Sequence, residues 1–160
     1  MKKMLIAIDG SKGALKAVEY VAEQFAGIGD LRITLFYVLP GVAPELWDDG
    51  HILTEEEKRT RKVVLDKWLV NQKLKLEPIF RTAIERLTRK GIGPEQIETK
   101  SASESINNIP ECILTEARTG GYQTLVIGRC GHSRAVHLLM GSTTSKIINR
   151  GAGIALCVVE

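Results

Sequence analysis

The chain has 160 residues, of which 44% are hydrophobic and 26% charged, and its formal net charge is only +3. These proportions are ordinary for a soluble globular protein, and the length is enough to bury a substantial core, so we expect one domain over residues 1–160. The charge lacks the clustered basic excess of a nucleic-acid binder, and no apolar stretch approaches the length of a membrane span.

The first elements in chain order are a strand, a helix and a second strand. Residues 3–8 form a short apolar run that indicates a buried strand, and Ser11 follows as a helix cap. Apolar residues then recur at helical spacing until Gly27 and Gly29 end the helix. Residues 31–39 are rich in β-branched and aromatic side chains, which predicts a second strand.

A long irregular stretch and a long helix come next. Residues 40–53 contain prolines and glycine, and loops of this length are often functional or disordered. Thr54 and Glu57 have the spacing of a capping box at a helix start. The helical pattern continues to Arg89, and we expect Pro78 to bend or break it.

The remaining pattern predicts strands at 97–101, 124–128 and 154–159, with helices at 110–118 and 142–149 between them. Strands that alternate with helices favour a parallel sheet covered by helices on both faces. We therefore expect an α/β fold with five parallel strands.

The most informative motif is a pair of glycine-containing segments, at 128–131 and 141–144. Gly128-Arg129-Cys130-Gly131 follows the fourth strand, and Gly141-Ser142-Thr143-Thr144 opens the last helix nine residues later. Glycines let a backbone approach an anion closely, and a helix start offers free N–H groups, so the pair predicts a phosphate site. Arg129 or Arg134 could supply a positive charge. Taken alone, each glycine could also be an ordinary turn residue.

A second polar turn, Asp9-Gly10-Ser11, follows the first strand. In open parallel sheets, ligands bind beyond the carboxyl ends of strands where the strand order reverses. If the first and fourth strands are neighbours, this turn and the glycine motif face one crevice. Asp9 is then a candidate ligand residue, although aspartate is also a common turn residue.

The chain resembles the universal stress protein family. The matching segments are Ala7 to Ser11, Tyr37 to Leu39, Leu125 to Gly128, and the G-2x-G-9x-G-[ST] signature from Gly128 to Ser142. The resemblance implies one domain with a three-layer α/β/α, Rossmann-like fold, related to the adenine nucleotide α-hydrolases, and a sheet order of 3-2-1-4-5.

The resemblance also implies an ATP-binding site. Asp9 and the backbone around Val38 would contact adenosine, and the signature would hold ribose and phosphates. The signature residues concerned are Gly128, Arg129, Gly131, Gly141, Ser142, Thr143 and Thr144. Whether the ligand is ATP, ADP or AMP, with or without Mg²⁺, stays open.

Family resemblance further implies a homodimer through the apolar last strand at 154–159. An apolar strand at a sheet edge needs a partner, and a helix of the same chain is the other candidate. Three cysteines without a CxxC pair argue against a disulfide framework and favour the cytoplasm.

Together these features predict a regulatory protein of the stress response, in which an unknown protein partner reads nucleotide occupancy. The sequence has no Walker A motif and no evident general base, so fast ATP hydrolysis is not expected, although slow turnover stays open. An adenylyl transferase and a phospho-receiver module are the alternatives. Cys130, His132 and His137 fit no standard zinc spacing.

Overall fold

A computed structural model of the protein describes residues 2–39, 54–103, 108–130, 140–151 and 153–160. Five parallel strands form one sheet in the order β3-β2-β1-β4-β5. The strands are β1 (Lys2–Ala7), β2 (Leu31–Leu39), β3 (Ile97–Ser103), β4 (Thr124–Gly128) and β5 (Ala155–Val159). The helices are α1 (Lys12–Phe25), α2 (Glu55–Arg89), α3 (Ile109–Thr119) and α4 (Ser142–Arg150). The predicted order is confirmed, while the loop predicted at 40–53 lies outside the described residues.

Two hydrophobic cores cover the two faces of the sheet. Successive residues of β1 point to opposite faces, so Ile6 packs with α1 and α2 while Leu5 packs with α3 and α4. Both side chains are fully buried. This explains why the central strands are mostly apolar. The strand order reverses between β1 and β4.

The helix α2 begins as predicted but is not broken. Thr54 and Glu57 form the capping box, each bonding the backbone N–H of the other. The helix then continues through Pro78 to Arg89, so the expected break is wrong. Proline removes the hydrogen bond to the carbonyl four residues earlier, and its ring crowds that carbonyl. That carbonyl belongs to Leu74, which is 62% exposed, so water can bind there instead.

A close backbone contact joins the start of α1 to the end of β4. A Cβ atom at Gly13 would lie 2.0 Å from the carbonyl oxygen of Cys130, and one at Gly128 would lie 2.4 Å from the carbonyl carbon of Gly13. No side chain larger than hydrogen fits at either position without moving backbone. Gly128 is therefore required for packing, whatever else it does.

We expect Gly13→Ala to destabilise the protein. Alanine favours a helix over glycine by about 1 kcal/mol, but here overpacking against Cys130 outweighs that gain. The free energy of unfolding should fall by about 1–3 kcal/mol in urea denaturation. Gly29→Ala is the matched control, since a Cβ there meets nothing within 4 Å, and it should change stability by less than about 0.5 kcal/mol. If Gly13→Ala and Gly29→Ala change the free energy of unfolding equally, the close contact between Gly13 and Cys130 is wrong.

Candidate nucleotide-binding site

A cavity of about 390 Å³ lies at the carboxyl ends of β1, β2 and β4. It sits where the strand order reverses, which is the position expected for a ligand in an open parallel sheet. Most of its walls are apolar. The described lining residues are Ala7, Ile8, Asp9, Ser11, Ala14, Phe36, Tyr37, Val38, Ile109, Ile113, Ile127, Gly128, Cys130, Gly141, Ser142, Thr143, Thr144 and Ile147.

Three helices begin at this cavity. The start of α1 is capped, because the Ser11 hydroxyl accepts a hydrogen bond from the Ala14 N–H at 3.2 Å. The starts of α3 and α4 have no side-chain cap, and Ile109 and residues 142–144 line the cavity there. Helix N-termini carry partial positive charge, so the three together make the cavity attractive to an anion.

The start of α4 is the most open of the three. Gly141 has no side chain to cap the helix, and its own N–H donates to the Arg129 carbonyl at 3.0 Å. Ser142 is exposed and Thr143 is half-buried at the cavity wall. The first N–H groups of a helix have no partner within the helix, so these are the donors that a bound anion would use.

Asp9 is the only charged side chain among the described lining residues. One carboxylate oxygen accepts a hydrogen bond from the Ser11 N–H at 2.9 Å, which makes Asp9 a turn residue. A carboxylate has further acceptor positions, so the same group can also bind a hydroxyl or amino donor of a ligand. The turn role and the ligand role are therefore compatible.

Tyr37 lies in the same cavity, at the end of β2. Burial, and then the negative charge of Asp9, raises the pKa of its phenol above the ordinary value of 10.0. Both causes disfavour a second negative charge in the cavity. The phenol is therefore neutral at physiological pH and can donate a hydrogen bond to a ligand.

Comparison with protein families identifies the fold. A family model described as the universal stress protein family matches residues 1–152. The chain belongs to the universal stress protein family. No curated protein sequence matches it.

Solved universal stress proteins share the fold at low sequence identity. One in complex with cAMP is 18% identical, with 99% of this chain and 96% of that chain covered and a TM-score of 0.63. UspA from Lactobacillus plantarum is 16% identical, with 99% and 97% covered and a TM-score of 0.65. A protein from Archaeoglobus fulgidus in complex with dAMP is 16% identical, with 100% and 98% covered and a TM-score of 0.60.

The cavity of this universal stress protein brings together seven of the nine residues that the sequence suggested. These seven are Asp9, Val38, Gly128, Gly141, Ser142, Thr143 and Thr144. Two of them also hold helices against β4. Gly128 packs on Gly13, and the buried Thr144 hydroxyl donates to the Gly128 carbonyl at 2.9 Å, which fixes α4 against β4.

Arg129 is not among the described residues that line the cavity, so its contact with ribose or phosphates stays a prediction. Its guanidinium forms an ion pair with the carboxylate of Glu160, and its N–H donates to the Val159 carbonyl at 2.7 Å. The residue therefore ties the end of β4 to the end of β5. Only its carbonyl, bonded by Gly141, reaches toward the start of α4.

Several other candidates lie outside the described residues. These are Gly131, Arg134, His132 and His137. Within the described ranges, no group of three or more His, Cys, Asp or Glu residues could hold a metal ion. No helix in those ranges is long and apolar enough to cross a membrane.

Sequence reasoning missed most of the apolar wall. Ile109, Ile113, Ile127 and Ile147 line the cavity although no motif marks them. Ile113, Ile127 and Ile147 lie within predicted helices or strands, and Ile109 lies just before one, but an apolar pattern does not distinguish a core side chain from a cavity wall. Gly13 was also missed, and glycine at the second position of a predicted helix was the available signal.

We expect Asp9→Asn to lower the pKa of Tyr37. The amide oxygen can still accept from the Ser11 N–H, so the turn survives while the negative charge is lost. Titration of the tyrosine side-chain signals by ¹³C NMR measures the change, and Tyr37→Phe assigns the signal among the three tyrosines.

The raised pKa of Tyr37 also makes the stability of the protein depend on pH. Folding raises the pKa of Tyr37, so the folded state favours the neutral phenol. The contribution of this phenol to the free energy of unfolding is complete below about pH 10 and is lost as the pH rises through the pKa of the folded state. Asp9→Asn should reduce this loss of stability at alkaline pH. An unchanged Tyr37 titration in Asp9→Asn would show that the two side chains do not interact.

Proposed function

We propose that this universal stress protein binds an adenine nucleotide in the cavity and acts as a regulatory protein. The observation that most supports this proposal is the uncapped start of α4. It opens onto a mostly apolar cavity at the point where the strand order reverses. An apolar pocket with an anion site at one end suits a ligand with a flat base and a phosphate.

The phosphate end of the ligand would lie on α4. The N–H groups of Ser142, Thr143 and Thr144 are the orphan donors of the first turn. Among the described lining residues there is no lysine, arginine or histidine, so backbone dipoles carry the attraction there. Gly131, from the glycine signature, would add a further backbone contact.

The adenosine end would lie between β1, β2 and α3. Val38, Ile109 and Ile113 offer apolar contact to a base, and Asp9 offers an acceptor to a hydroxyl or amino group. Solved family members in complex with cAMP and with dAMP support an adenine nucleotide. The glycine signature favours ATP in this chain, with Mg²⁺ as an optional companion of its phosphates.

In this proposal the protein acts through the presence of a bound nucleotide rather than through rapid ATP hydrolysis. The described walls hold neither a cation to stabilise a transferring phosphoryl group nor a base beyond Asp9, so ATP turnover would be slow at most. Nucleotide binding would order the glycine motif, and a protein partner would read that state in a cytoplasmic stress response. One domain over residues 1–160 would carry this function.

We also propose a homodimer through β5. This strand is at one end of the sheet. The Ala155 N–H and the Val159 carbonyl bond toward β4, at 3.0 and 2.7 Å. By the two-residue period, the peptide groups of Leu156 and Val158 point the other way and could pair with a second copy of the strand.

We expect Ser142→Glu to weaken ATP binding while leaving the fold intact. A carboxylate at the first position of α4 stabilises the helix start, yet it would repel a phosphate there. The dissociation constant for ATP, measured by calorimetry, should rise by at least about tenfold, which corresponds to about 1.4 kcal/mol.

Ser142→Gln is the matched control, because it has the same size without the charge, and its affinity for ATP should stay within about threefold of wild type. Adenosine, which has no phosphate, should bind both variants alike. If wild type binds no adenine nucleotide, or if both variants bind ATP equally, the proposed phosphate position is wrong.

Val158→Pro should dissociate the homodimer without unfolding the protomer. Proline removes an N–H that points away from β4, and edge strands tolerate this. Two symmetric bonds are lost, so the dimer dissociation constant should rise by at least about tenfold in analytical ultracentrifugation. Val158→Ala keeps the N–H and should remain dimeric. A folded Val158→Pro protein that dimerises like wild type would exclude pairing through β5.

A further inference from the structure

The first two thirds of α2 lie away from the core. No residue from 54 to 75 is buried. Farther along, Ile79 lies beside Gly10 at the carboxyl end of β1, because a Cβ there would meet its side chain at 3.1 Å. The helix links two parallel strands, and residues 55–75, about 30 Å of helix, come before the point where Ile79 meets this edge of the sheet.

This segment carries exposed apolar side chains that the described part of the protomer leaves uncovered. Val63, Val70 and Leu74 are 52%, 56% and 62% exposed. Together with Lys67, Glu77 and Arg81 they follow the alternating spacing of four and three residues that is typical of a coiled-coil seam. We call these six residues the outer seam. The buried residues of α2, Leu76, Ala83 and Leu87, lie on the opposite side of the helix.

Most of the stability of a protein helix comes from packing of one face against other structure. We propose that the outer seam pairs with the outer seam of a second copy of this chain, in antiparallel orientation. In one register, Val63 faces Leu74 of the second copy, and Val70 faces Lys67 of the second copy. The stem of Lys67 can cover Val70 while its ammonium group stays in water.

Charge favours the antiparallel orientation. The same register places Glu56 opposite Arg81 of the second copy, once at each end of the seam. Asp66 comes near Lys73 of the second copy on the flank. A parallel pair would instead place Lys67, Glu77 and Arg81 against their own copies, which is repulsive.

This surface is separate from β5 and does not depend on the nucleotide site. With only three apolar residues from each protomer, the contact should be weak and concentration-dependent. If β5 also forms a dimer, association through α2 would join dimers into larger assemblies. If β5 does not, association through α2 would give a monomer–dimer equilibrium. The two interfaces can therefore be tested independently.

Reversal of the terminal charge pair is the most specific test. Glu56 and Arg81 lie about 37 Å apart along one helix, so they cannot pair within a protomer. Glu56→Arg alone and Arg81→Glu alone should each raise the dissociation constant of the α2 contact by about tenfold, measured by sedimentation equilibrium. The double variant should return it to within about threefold of wild type.

Val70→Asp tests the apolar part of the seam. The side chain is 56% exposed, so the fold should survive, as far-UV circular dichroism can verify. It should abolish the α2 contact, whereas Lys75→Gln, which changes the net charge by the same amount on another side of α2, should not.

Several results would overturn the proposal. One is the absence of any association that Val70→Asp weakens. Another is a double charge variant that remains as weak as the single variants. If another segment of the same chain covers the outer seam, Val70→Asp will lower the melting temperature without changing the molecular mass, and that result also contradicts pairing between copies.

Discussion

The contact between Gly13 and the end of β4 determines the shape of the candidate site. It brings the start of α1 against the backbone of Gly128 and Cys130, closer than any side chain would permit. Thr144 then bonds the Gly128 carbonyl and fixes α4 to the same strand end. The positions of Asp9 and of the first turn of α4 both follow from these contacts. The glycine motif is thus a packing device as well as a candidate ligand contact.

The electrostatics of the site follow from the direction of the chain. In a parallel sheet the connecting helices begin near the carboxyl ends of the strands, so several helix dipoles converge there. The described cavity walls have one carboxylate and no cationic side chain, so in the proposed function the uncapped α4 start is what attracts an anion. Arg129, which joins β4 to β5, links this region to the strand proposed for dimerisation.

Most of the fold could be predicted because its signals are local. Apolar runs predicted four of the five strands, the more polar β3 was predicted from a weaker pattern, and both β2 and β4 have the predicted bounds. Of the bend or break predicted at Pro78, the break is wrong, because an exposed carbonyl at Leu74 can bind water in place of the lost hydrogen bond. The direction of the Arg129 side chain depends on Glu160, and the need for Gly13 depends on Cys130. These contacts join segments distant in sequence, so a single sequence does not reveal them.

The central claim is that the first turn of α4 binds the phosphate of an adenine nucleotide. The most direct measurement is a ¹H–¹⁵N NMR titration with AMP, with adenosine as the ligand that lacks a phosphate. The account predicts large downfield amide proton shifts at Ser142, Thr143 and Thr144 with AMP and not with adenosine, because a charged acceptor deshields the N–H groups it binds. Saturable AMP binding that leaves these three amides unshifted would contradict it.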